Sequence, residues 1–176
     1  MKKRLIAHLE DAIALEKSIK ASARKTGSLI AELHATDPIE LLWQFKFQPA
    51  GCDPLDSTRP LNLIEQINQT FTCLASARAA TILFELHPEW APFTLNLGTA
   101  PGTDIESVHP EGIACEVFAS VNPSNNRKLV KDIEKVGQTR ALHKYVFFMS
   151  PGFSAGRQTK LEKRTGVQVW ALDHGV

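Results

Sequence analysis

Three consecutive stretches decide the fold: Gly102-Thr103-Asp104-Ile105-Glu106-Ser107-Val108, then His109-Pro110-Glu111-Gly112, then Ile113-Ala114-Cys115-Glu116-Val117-Phe118-Ala119-Ser120-Val121. The first reads as a strand from Asp104 to Val108, the second has the composition of a hairpin turn, and the third is a strand from Ile113 to Val121. Side chains alternate along a strand, so Glu116, Phe118 and Ser120 share one face and Cys115, Val117 and Ala119 the other. An ionised carboxylate in so apolar a strand is costly unless a cation or hydrogen-bond donors compensate it. Glu116 therefore marks the expected site. Asp104 opens the preceding strand, and Glu106, two residues on, shares the face of Asp104.

Working outward, Phe93 to Gly98 alternates as a further strand, joined through the turn-rich Gly98 to Gly102 link, which completes a three-strand antiparallel meander. Before it, apolar residues from Leu63 to Ile82 keep a 3.6-residue period, predicting a helix from Leu61 to Leu86 that Pro88 stops. Asp37-Pro38 starts a short segment around Leu41-Leu42-Trp43, and residues 49–60, with Pro49, Gly51, Pro54 and Pro60, read as a loop. Leu5, Leu9, Ala12, Ile13 and Ile19 predict an amphipathic helix from Lys2 to Arg24, either continuous with or broken from Leu29, Ile30 and Leu33. That helix is available to cover the sheet or to form a homodimer. After the meander come a helix burying Leu129, Val130, Ile133 and Val136, an apolar strand from Tyr145 to Met149, a short helix over Gln158 to Arg164 and a strand from Val167 to Leu172. The order predicts an α/β fold with a mixed central sheet and helices on both faces.

The length of 176 residues and the 43% hydrophobic content suit one domain, 1–176, with a helical extension over 1–60 and the core over 61–176. No run is long enough for a membrane span, and the basic start leads into a helix, so a soluble, cytoplasmic protein is expected. Three cysteines without a paired spacing fit a reducing compartment and indicate neither disulfides nor a zinc site. The six histidines also lack paired spacing, which speaks against a histidine metal site. A net charge of +1 hides an asymmetry: residues 36–116 hold eleven acidic and three basic residues, and residues 127–164 hold three acidic and ten basic ones. Such a division can supply a cation site beside a phosphate-binding surface.

The acids and their spacing resemble the PD-(D/E)XK nuclease superfamily, over roughly residues 61–150. The resemblance implies a restriction-endonuclease-like core of helix, three antiparallel strands, helix and strand. In that superfamily one acid opens the second strand and another lies on the third, with a lysine two residues later. Asp104 and Glu116 match the acids; Phe118 stands where the lysine would be. The implied activity is hydrolysis of phosphodiester bonds in DNA or RNA with Mg²⁺ or Mn²⁺, hard cations that take oxygen ligands. The implied ligands are Asp104, Glu116 and the main-chain carbonyl of Val117, with Glu106 and Glu65 as further candidates. The amine then comes from the following helix, through Lys128 or Lys131. Arg127, Lys128 and Lys131 are the expected nucleic-acid contacts. The alternative is a binding or assembly module that keeps this fold without turnover.

A competing motif is Gly152-Phe153-Ser154-Ala155-Gly156, the G-x-S-x-G pattern of a nucleophile elbow. Only Asp173 and His174 follow it as acid and histidine. Adjacent residues seldom form the serine-histidine-acid relay, so a serine hydrolase is a remote reading.

Overall fold

The structure is a computed structural model that describes residues 2–97, 102–109, 111–162 and 166–175. Most of the Gly98 to Gly102 link, Pro110 of the hairpin turn and the end of the helix expected over Gln158 to Arg164 lie outside the described residues. In chain order the elements are β1 (Lys2–Ile6), α1 (Leu9–Ala31), α2 (Pro38–Phe47), β2 (Pro49–Asp53), β3 (Asp56–Asn62), α3 (Leu63–Leu86), β4 (Phe93–Leu97) and β5 (Ile105–Ser107). There follow β6 (Ile113–Ala119), α4 (Lys128–Gly137), β7 (His143–Met149), β8 (Gly156–Arg157) and β9 (Gln168–Leu172). The chain divides into two compact units, Met1–Ile13 with Ala75–Val176, and Ala14–Leu74. One limit of the division falls inside α1 and the other inside α3.

The larger unit is α/β. Its seven-stranded mixed sheet has the order β1-β4-β5-β6-β7-β9-β8. The β4-β5-β6 strands form the antiparallel meander, and β6, β7 and β9 run parallel. Parallel strands need a crossover, and α4 supplies the one between β6 and β7. Its buried residues Leu129, Asp132, Ile133 and Val136 recur at helical spacing. They close a core with Ala114, Phe118, Val146, Phe148 and Val169, all on one face of the sheet.

Three local expectations give way. Lys2 to Ile6 is a strand, not the start of a helix: it pairs with β4, Arg4 opposite Leu95, and Ile6 is fully buried. The Asp11 carboxylate accepts the N–H groups of Ala7 and His8 at 2.9 Å each, satisfying donors that a helix start leaves open, so α1 begins only at Leu9. Within the smaller unit the proline-rich 49–60 stretch is an irregular hairpin, β2 with β3, whose connection is fastened by the Leu55 N–H bonding to Asp53 Oδ1 at 2.8 Å. Gly156–Arg157 is a short strand, and a single 3-10 turn, Thr159–Leu161, stands where a helix is predicted.

Candidate metal and catalytic site

β5 and β6 pair with Ile105 opposite Cys115 and Glu106 opposite Ala114, a register whose next step sets Asp104 opposite Glu116. The two acids therefore lie on neighbouring strands and on one face. Asp104 Oδ2 accepts the Val117 N–H at 2.8 Å, which ties the start of β5 to β6. Glu116 is only 3% exposed, under α4. Phe118, two residues on, points to the same face but is 6% exposed and stacks on Phe148.

The ammonium groups near Glu116 and Phe118 are carried by α4. Lys135 Nζ lies 2.6 Å from Glu116 Oε1, although the approach is not aligned as a hydrogen bond. Lys128 Nζ donates to Asp132 Oδ1 at 2.6 Å and sits 5.4 Å from the centre of the Phe118 ring. Lys131, predicted beside Lys128, is exposed. The sequence reading missed Lys135 and Asp132, both part of this cluster. Their signal is Lys128, Asp132 and Lys135 at i, i+4 and i+7, one face of a helix.

Asp104, Glu116 and Asp132 all have carboxyl pKa values raised. Burial is the main cause for each, opposed by the Val117 N–H for Asp104 and by Lys128 for Asp132; for Glu116 the neighbouring Asp104 charge adds to burial while Lys135 opposes it. For Lys135 burial disfavours the charge, but Glu116, Asp104 and Asp132 outweigh it and the pKa is raised, so it is an ammonium at neutral pH. Among the described residues Asp132 Oδ2 is buried without a hydrogen-bond partner. Three carboxylates and two ammonium groups thus gather around β6 and α4.

The raised values have a stability consequence. Below the unfolded carboxyl pKa of about 4 these groups are protonated in both states and carry no penalty. As pH rises through the unfolded value and then the higher folded values, the folded state loses stability, and the loss persists above them. We expect Asp104→Asn, which can still accept the Val117 N–H, to stabilise the metal-free protein at neutral pH by on the order of 1 kcal/mol. Melting temperatures in chelator across pH check this: the gain should vanish below about pH 4, and an equal gain at all pH values would refute the electrostatic cause.

The remaining predicted ligands are occupied elsewhere. Glu106 Oε1 accepts the Thr103 N–H at 2.7 Å and fixes its own turn, in which Gly102 takes a φ of 111° that favours glycine. Glu65 belongs to the smaller unit, where it caps α3: its N–H bonds to Asn62 Oδ1 at 2.9 Å and its carboxylate reaches back to the Asn62 N–H at 3.4 Å. Arg127 is exposed at the start of α4, with a φ of 56°. An open cleft of about 320 Å³ beside the cluster is lined by Thr103, Glu106, Ala114 and Lys135 among others.

Ser154, Asp173 and His174 do line one shallow cavity. However, the segment leads into the two-residue strand β8 instead of a helix, and Asp173 Oδ1 accepts the Gly175 N–H at 3.0 Å. The elbow's strand-turn-helix context is absent. No protein-family model, curated protein or solved structure matches this chain.

Proposed function

We propose that this protein is a metal-dependent nuclease with a restriction-endonuclease-like core, acting on phosphodiester bonds of DNA or RNA. The observation that carries the reading is the approach of Lys135 to Glu116, beside Asp104: two acids and an amine converge although the amine comes from a helix and not from the strand. It favours the active enzyme over a binding module that lacks turnover, because the amine that Phe118 cannot provide has another source. Bound Mg²⁺ or Mn²⁺ would polarise the phosphate and lower the pKa of an attacking water. Asp104 and Glu116 would hold the cation, with the Val117 carbonyl as a further oxygen. Lys135, as an ammonium, donates hydrogen bonds; its role is to orient the water and to stabilise charge developing on the phosphate. Arg127, Lys128 and Lys131 would meet the backbone phosphates.

The test is cleavage of plasmid, linear and single-stranded substrates with Mg²⁺ or Mn²⁺, paired with binding measured in Ca²⁺ over a salt series. We expect metal-dependent cleavage and an affinity that falls steeply with salt, because phosphate contacts release counterions. Charge reversal of Arg127 with Lys131 should weaken binding while the melting temperature holds. Binding that is absent at low salt or indifferent to salt would overturn the nucleic-acid reading.

A further inference from the structure

A second cluster of metal-ligating side chains occupies the other face of the same sheet. His143 opens β7 opposite Ile113, so it lies on the Cys115 and Tyr145 face and not on the face of Glu116. His87 follows the end of α3, and Glu89 stands in the 3-10 turn Pro88–Trp90. Residues far apart in sequence thus meet: ligand atoms of His87, Glu89 and His143 all lie within 4.8 Å of one another. The two imidazole rings have centres 4.0 Å apart.

The details suit a metal better than a simple ion pair. His87 Nδ1 is 3.3 Å from Glu89 Oε1. A charge-assisted hydrogen bond is usually shorter, roughly 2.7–2.9 Å. By contrast, nitrogen and oxygen ligands about 2.0–2.1 Å from a tetrahedral zinc ion are separated by roughly 3.3 Å. The other ring nitrogen, Nε2, is engaged by the Tyr145 hydroxyl at 2.6 Å. With Nε2–H donating to the hydroxyl oxygen, such an outer hydrogen bond orients a ligating histidine and leaves Nδ1 without a proton to face the metal. Trp90, 6.1 Å from His143 between ring centres, borders the cluster.

We propose that His87, Glu89 and His143 bind one divalent ion of the zinc class, in a site separate from the acid cluster and independent of the nuclease reading. Two imidazoles and one carboxylate match the borderline-soft preference of Zn²⁺, whereas Mg²⁺ takes oxygen ligands. Three protein ligands leave a fourth position for water. The ion would clip the turn after α3 to the start of β7.

The full chain, stripped with chelator, is titrated with Zn²⁺ by calorimetry, and with Co²⁺ by visible absorption, in excess Mg²⁺. The expected result is one Zn²⁺ per chain and a tetrahedral Co²⁺ spectrum. The variants Glu89→Ala and His143→Gln should each weaken Zn²⁺ binding at least about tenfold with little change in metal-free melting temperature. Glu89 is exposed, so its variant tests the site even if the histidine variant folds poorly. The double variant Asp104→Asn with Glu116→Gln should keep Zn²⁺ affinity. Absence of Zn²⁺ binding, binding unchanged in Glu89→Ala, or binding lost only with the Asp104 and Glu116 variants would overturn the proposal.

Discussion

Replacing Lys135 with methionine is expected to lower Mg²⁺-dependent cleavage by about 10²–10⁴-fold, the range over which a positioned proton-transfer or charge-stabilising group acts. Methionine keeps the aliphatic length while removing the ammonium 2.6 Å from Glu116. Substrate affinity in Ca²⁺ should change little, because Arg127, Lys128 and Lys131 carry most of the proposed backbone contacts. The pair is half-exposed on the lysine side, so we expect a stability cost of only about 1 kcal/mol. Arginine at 135 should restore part of the rate, since it keeps the charge but changes the donor geometry. Single-turnover rates for the three proteins decide it. A methionine variant that cleaves within a few-fold of the original would remove Lys135 from the chemistry, and an equal defect in Lys131→Met would show a general charge effect. Phe118→Lys should instead cost stability, because the ring is packed in the core with Phe148 and its replacement would bury an ammonium group there.

The second large effect is linkage between metal and folding. A cation bound at 100 times its Kd stabilises the native state by about 2.7 kcal/mol. For a chain of this size that raises the melting temperature by roughly 5–10 °C. Glu116→Gln should abolish the increment from Mg²⁺ or Mn²⁺, because its carboxylate is central to the cluster, and Asp104→Asn should remove most of it. In chelator the same two variants should melt no lower than the original, since burial raises both acids, with the Asp104 charge adding to it for Glu116 and the Asp132 charge for Asp104. Identical metal-induced shifts in the original protein and in Glu116→Gln would place the cation elsewhere. The zinc-class site does not confuse the outcome, because its ligands are on the opposite face and it is read with a different ion.

Much of the arrangement around Glu116 was legible because strand periodicity is local. Alternation puts Glu116 on one face, and the hairpin composition of 109–112 implies the antiparallel return that aligns Asp104 with it. The helix over 63–86, the α4 segment and the apolar β7 follow from hydrophobic period alone, so the sequence by itself determined an α/β chain with an acidic pair in its meander. The role of the N-terminal residues was not local: whether Lys2–Ile6 is helix or strand depended on the free edge of β4, some ninety residues away. Lys135 was also invisible to a search next to the expected position, because the helix that carries it had first to cross over β6 before its third turn came above Glu116. The histidines show the same limit most clearly. His87 and His143 have no meaningful spacing in the chain, and only the stacking of a post-helix turn on the first residue of β7 brings them together. Periodicity specifies which face a residue occupies; the tertiary structure alone decides which distant residue shares it, because that depends on strand order and crossovers that no short window of sequence contains.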